Sequence, residues 1–497
     1  MKKLLLYILS VFALSSCYKD KGNYDYIDIN EVSITGIDSL YTVNYGSVFS
    51  VKPILAFTKD KGTDTSAYSY MWLASLANTG QTVNVDTLSY SRDLEERITL
   101  TSGKYDIFYR VTDKKTGVTF SKRFLITVVT SVYEGWLLLS EVNGTSRLDM
   151  LSKGTEGYKP TYDLLGNIGA GLTLSGLPVD VKFARLTTAA SSQTIYVSTT
   201  TGTHRLDGET LKWKSPLQTD FFSDLPAGFY ADKITSRTAT LVYLHGNDGN
   251  MYYYIYTFSI YFGLPVNVMY GQSVPFKVSP FVAYYNDVSN STNTHILYDM
   301  DEKRFVKHIY SLPAYCTEMP AGTVFSYKTG KDLVYMATTR FNNGDTYAIL
   351  DSAHVKYYLA RFNIATNIVQ TYYDEMPATS ISQAENFAVS PDMGYVFYNV
   401  GGKLYEYDAS TKQSKLMIDY GQKSVTFLKF DGFMATGLTG AKNYYNKLQV
   451  GVYDPALPSE SCGTFELYTV PGVNGNLILN ESYAGFGKIK SITYRER

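Results

Sequence analysis

The first side chain in this chain equipped for chemistry is the thiol of Cys17. Lys2 and Lys3 precede an apolar run from Leu4 to Leu14, and Leu14-Ser15-Ser16-Cys17 sets small residues directly before a cysteine. A bilayer span takes about 20 apolar residues, so this shorter run reads as a secretory h-region, residues 1–17 forming a lipoprotein signal peptide cleaved ahead of Cys17. The thiol then carries lipid as the first residue of the mature chain. Each buried methylene contributes about 0.8 kcal/mol, and more than one acyl chain gives firm attachment. The expected protein is tethered to its membrane by lipid alone.

Elsewhere the chemistry is sparse. His204, His245, His295, His308 and His354 are the only histidines, and none lies in a metal-spaced pair or beside a nucleophile motif. His245-Gly-Asn-Asp-Gly-Asn250 is glycine-rich but lacks the strand-to-helix setting of a phosphate loop, and reads as a hairpin turn. Asp299-Met-Asp301-Glu302 has carboxylates close together but no glycine at the bend, which fits a turn better than a calcium loop. No carboxylate pair stands out for glycosidase work. Cys316 and Cys462 form no spacing pattern, and the default is two unpaired small hydrophobes. No metal and no cofactor is expected.

A formal net charge of -1 removes the basic excess that a nucleic-acid partner would need. The composition is dominated by 46 Tyr against 25 Phe and 3 Trp, and tyrosine suits half-buried strand positions, ring inward and hydroxyl in water. The length of 497 residues allows a large all-β unit beside a smaller one.

These residues must be positioned by strands. Residues 18–30 are polar and read as a tether. Residues 31–130 read as a first β domain, with strand candidates at Val48–Phe57, Tyr68–Trp72 and Tyr105–Thr112. Trp72 on a central strand is followed by Gly103-Lys-Tyr105-Asp-Ile107-Phe-Tyr109-Arg-Val111-Thr-Asp113. There the glycine opens a strand, alternate residues face a core, and Asp113 bonds the turn Lys114-Lys-Thr-Gly117.

From residue 131 to 497 the strands shorten and repeat. Pro178, Pro226, Pro280, Pro320 and Pro377 recur at 40 to 57 residues, with a double step to Pro471. Asp or Asn marks a strand-turn-strand bend at Asp207, Asp299, Asn363, Asp408 and Asp454. Four short strands per repeat of this length is the pattern of a β-propeller, here with seven blades, one proline being missing near residue 424. Gly487–Tyr494 would pair with Gly135–Ser140 to close the ring. The uncharged run Met251–Tyr270 contains Gly263, Pro265 and Asn267, so it reads as two strands and a turn, not a membrane span. Loop aromatics that could touch a ligand are Phe221, Phe222, Phe229 and Tyr230 around Pro226, and Tyr315 and Phe325 around Pro320.

The lipobox ending in Cys17, the mature start Cys17-Tyr-Lys-Asp-Lys-Gly-Asn-Tyr-Asp-Tyr26, the sandwich signals and the Tyr-rich second half together resemble the PKD-like lipoproteins of Bacteroidota. Within that start, Tyr18-Lys19-Asp20-Lys21 resembles their charged surface-export signal. The resemblance implies an all-β protein, a PKD/immunoglobulin-like sandwich followed by the propeller, anchored in the outer membrane and facing the cell exterior. It implies a non-catalytic binding component of a SusC/SusD-type TonB-dependent uptake complex, taking an oligopeptide or glycan ligand. No catalytic residues come with it. The alternatives are a surface hydrolase or lyase, which requires titratable side chains converging at the propeller channel, and a structural or adhesive protein, which requires an apolar patch on the sandwich.

Overall fold

The computed structural model describes residues 29–77, 85–100, 103–129, 132, 134–154, 157–185, 193–238, 241–255, 262–287, 290–309, 314–365, 367–431 and 443–496. Cys17 and the tether up to residue 28 lie outside them. The chain divides into two compact units, one up to Thr130 and the other from Ser131.

In the first unit a five-stranded sheet runs in the order Leu40–Asn44, Thr119–Val129, Gly103–Asp113, Tyr68–Leu76 and Val85–Ser89, with the first two strands parallel. Two strand pairs accompany it, Val32–Thr35 with Ile54–Phe57 and Val48–Val51 with Leu94–Arg97. Gly103–Asp113 alternates as its sequence requires: Tyr105, Ile107, Tyr109 and Val111 are all buried. Trp72 is fully buried, stacks on Tyr109 with ring centroids 4.1 Å apart, and donates its indole N–H to the Ser91 carbonyl at 2.9 Å. Asp113 accepts from the Lys115 amide at 2.8 Å and the Thr116 hydroxyl at 3.0 Å, capping the turn. One expectation is corrected. Val48–Phe57 is not a single strand but two, in different sheets, broken at Lys52-Pro53, because proline has no N–H to give a ladder.

Among the described residues of the second unit there are seven antiparallel sheets, six of four strands and one of three. Their innermost strands are Lys488–Arg495, Pro178–Arg185, Ala231–Thr238, Ala283–Asp287, Asp332–Thr338, Asn386–Val389 and Ser424–Lys429. We number the sheets 1 to 7 in that order. Each innermost strand contacts the next, and Ser424–Lys429 contacts Lys488–Arg495, so the series closes on itself as a β-propeller. Separate apolar clusters fill the spaces between neighbours. That between sheets 7 and 1, for example, holds Trp136, Leu138 and Leu151 against Phe427, Phe465 and Phe486.

Closure uses the last strand of the chain. Lys488–Arg495 pairs with Gly135–Val142, bringing Leu138 opposite Ile492 and Gly135 opposite Arg495. Arg495 is fully buried; its guanidinium donates to the carbonyls of Gly208 (3.0 Å), Val132 (2.5 Å) and Glu209 (2.7 Å), which ties the closing strand to sheet 2. No helix among the described residues is long and apolar enough to cross a membrane. Of the run from Met251 to Tyr270, Met251–Ile255 is a strand and 256–261 lie outside the described residues. From Phe262 onward there are only isolated bridges, Phe262 with Phe221 and Met269 with Cys316, where a second strand was expected.

Candidate functional site: the propeller channel

Inner strands of a closed ring alternate side chains between the inter-sheet core and the central lumen. In sheet 2 this sends Val181 and Phe183 into the core, leaving Asp180 and Lys182 to line a central cavity of 330 Å³. The same cavity is lined by Lys233 from sheet 3, Lys429 and Asp431 from sheet 7, and Lys490 from the closing strand. Four ammoniums and two carboxylates thus converge in a protein whose overall charge is nearly zero.

Both carboxylates are occupied. Asp431 pairs with the Lys429 ammonium at 3.2 Å and accepts from the Gln449 amide at 3.0 Å. Burial works against its ionisation, but the ammoniums of Lys429 and Lys182 outweigh that and hold it below the usual carboxylate range. Asp180 accepts from the Ser491 hydroxyl at 2.6 Å and from the Ile234 amide at 3.1 Å. Lys429 also donates to the Ile492 carbonyl at 3.2 Å. The remaining cations lack such anchors. Lys233 lies over the Phe281 ring, 4.4 Å from its centroid, and burial lowers its pKa. The pKa of Lys182 falls to about 8, first through burial and then through repulsion by Lys429. Among the described residues neither Lys182 nor Lys490 has a carboxylate within ion-pair distance.

A larger but more open cleft of 770 Å³ lies between the hairpin His245–Asn250 and the segment 275–280. Its carboxylates are engaged locally, although the Ser279 hydroxyl and His245 Nδ1 are buried without a hydrogen bond. Asp301 accepts from the Lys277 amide (2.7 Å), Asp248 from the Tyr252 hydroxyl (2.6 Å), and His245 lies between Asp232 (3.4 Å) and the Val278 carbonyl (3.1 Å). With its carboxylates engaged and its walls open to solvent, the cleft gathers no excess of charge, and the channel, where four ammoniums converge, is the better candidate. Among the described residues no group of three or more His, Cys, Asp or Glu side chains is placed to hold a metal ion.

The loop aromatics singled out from the sequence are not brought together. Phe221 and Phe229 are buried between sheets 2 and 3, Phe221 stacking on Phe262 at 5.1 Å. Phe325 is buried between sheets 4 and 5 and stacks on Tyr373 at 5.1 Å. These three serve the core: next to a proline turn an aromatic ring is as readily drawn under the loop as left on it. Phe222 is exposed; Tyr230 and Tyr315 are half-buried, Tyr315 against Tyr270 at 4.9 Å. None of the six lines the channel. Cys316 and Cys462 are both buried and free. His295 and His308 face each other across adjacent strands of sheet 4, and both Nδ1 atoms bond the Tyr243 hydroxyl, at 2.8 and 2.9 Å. One hydroxyl proton serves only one of them, so the other ring must donate. Burial pushes the pKa of His308 down to about 3, which keeps that ring neutral.

Sequence reasoning missed the channel residues. Their signal is faint: a lysine one step out of phase with apolar neighbours, as in Val181-Lys182-Phe183.

The architecture defines an all-β protein with an N-terminal β unit and a propeller. Residues 17–178 match the PKD-like family, so the chain carries a PKD-like domain, the match beginning at Cys17 and running to the first residue of the inner strand of sheet 2. No curated protein matches the sequence. Among solved structures the chain is similar to a quinoprotein alcohol dehydrogenase-like protein from Bacteroides thetaiotaomicron (12% identity, 94% of this chain and 100% of that one, TM-score 0.41). It is also similar to a DUF4784 family protein from Bacteroides caccae (9% identity, 94% and 99%, TM-score 0.33) and to the Cps50 (Swd1) β-propeller domain of Myceliophteria thermophila (8% identity, 68% and 100%, TM-score 0.39).

Proposed function

We propose that this protein is a lipid-anchored, surface-exposed binding lipoprotein of the outer membrane that serves a SusC/SusD-type TonB-dependent uptake complex as a non-catalytic accessory. Its seven sheets are read as seven blades. The sandwich acts as spacer or docking module, and the propeller takes the oligopeptide or glycan. The observation that carries the reading is the PKD-like match beginning at Cys17, the residue at which the lipobox places cleavage and lipidation.

One observation favours a second reading, a propeller-borne hydrolase or lyase: titratable side chains do converge in the channel. They are mostly ammoniums, and both carboxylates are held by hydrogen bonds or an ion pair, which suits holding an anion better than acid–base turnover.

The anchoring is tested by growing cells with a palmitate analogue that can be tagged, then shaving intact cells with protease. The native chain is expected to carry the label, sediment with outer membranes and be lost on shaving, while Cys17→Ala loses the label and leaves the membrane fraction. A Cys17→Ala chain that still sediments with outer membranes, or a native chain that survives shaving, contradicts the proposal.

A further inference from the structure

The channel carries an imbalance that its own residues do not resolve. Among the described residues only Lys429 of the four ammoniums has a carboxylate at ion-pair distance, and the other carboxylate, Asp180, is held by a hydroxyl and an amide. Lys182, Lys233 and Lys490 face a confined lumen in which four ammoniums meet only two carboxylates, an excess of two positive charges. In such a space, walled by inner strands, like charges repel more strongly than in open water and the field at the centre is concentrated. The pKa of Lys182 is lowered first by burial and then by repulsion from Lys429, with Asp431 and Asp180 opposing the shift. A cavity of 330 Å³ is at the small end of ligand sites, which run from about 300 to 1,000 Å³, so it admits the end of a ligand and not a long oligomer. One wall is apolar: the Phe281 ring lies beneath Lys233 and meets Tyr335 edge-on at 5.2 Å.

We infer that the channel is an anion site that receives the carboxylate-bearing end of a small organic ligand, gripped by Lys182 and Lys233 with Lys490 nearby. A carboxylate there supplies the missing negative charge and forms charge-assisted hydrogen bonds in a partly desolvated setting. The inference rests on the proposed ligand-binding role of the propeller and narrows its cargo to acidic molecules. An acidic sugar and an acidic peptide share this chemistry.

The test is calorimetric titration of the whole chain with trigalacturonate and with tri-glutamate, each beside its neutral counterpart, galactotriose and tri-glutamine. At least one acidic ligand is expected to bind, its neutral counterpart to bind at least tenfold more weakly, and the acidic ligand that binds better identifies the source of the carboxylate. Lys182→Met and Lys233→Met should each weaken binding tenfold or more, whereas Lys277→Met in the outer cleft should leave it unchanged. Should either channel variant fail to fold, Lys490→Gln, exposed in the lumen, serves the same test with an expected loss of at least threefold. Absence of binding by both acidic ligands, equal binding of neutral and acidic ones, or unchanged affinity in the folded channel variants overturns the inference. Failure here leaves the uptake role intact if the native chain still captures a transporter from outer membranes. Anion binding without such capture removes the uptake role and keeps the site.

Discussion

Glu406 shows how a single buried group sets a pH dependence. It sits in sheet 6 on Lys403–Asp408, is 2% exposed, and its Oε2 has no hydrogen-bond partner. Burial raises its pKa from the ordinary value near 4.5 to about 7, with Lys415 opposing the shift and Asp408 adding to it. The folded state therefore holds this proton more tightly than the unfolded chain does. The stability it contributes is fully present below pH 4.5 and is lost as pH rises through 7. Glu406→Gln should match the native protein near pH 4.5 and exceed its stability at pH 8 by about 1–3 kcal/mol. Urea unfolding at the two pH values checks this, and a difference that does not grow with pH contradicts it. The channel lysines belong to the same scale. They escaped the sequence reading because residues from 182 to 490 meet only once the ring has closed. The five bend residues did not escape it. Asp207, Asp299, Asn363, Asp408 and Asp454 each accept from the amide two residues on. That interaction is local, so the sequence carries it whole.

At the scale of elements, local signals were read well and changes of sheet poorly. Pro178 opens an inner strand, and Pro226, Pro280, Pro320 and Pro377 lie in the segments leading into one, where proline needs no ladder partner. Pro471 departs from this, lying between the last two strands of sheet 7. The bends fall in two places, at the second turn of sheets 4 and 7 and at the third turn of sheets 2, 5 and 6, so their spacing along the chain is uneven. Gly135 opens the strand that receives the chain's closing strand, with φ at +147°. A Cβ placed there would lie 2.0 Å from the Leu151 carbonyl oxygen of the neighbouring strand. Gly135→Ala is expected to destabilise the propeller by about 2 kcal/mol or more, through strain and through the forced displacement of that strand. Thermal melting checks it, and an unchanged Tm would mean that the strand pair yields without consequence.

At the scale of the molecule, ring closure joins a long series of local hairpins end to end and creates the lumen in which distant lysines meet. The ends of the second unit meet in sheet 1, and Arg495 is buried across that seam, so stability and site depend on the same strand pair. Charge follows the same logic, because a chain of net charge -1 acquires a cationic centre only by geometry. The seam was legible in the sequence as two complementary strands at either end of the repeats; the charge of the lumen was not, because it arises only where the inner strands of sheets 1, 2, 3 and 7 meet. The central claim, that this molecule binds cargo for an uptake complex, is tested most directly by affinity capture. The native chain, tagged at its C-terminus, is drawn from native outer membranes, and partners and retained small molecules are identified by mass spectrometry. The account predicts recovery of a TonB-dependent channel together with a peptide or glycan. Recovery of the protein alone, with neither transporter nor ligand, would contradict it.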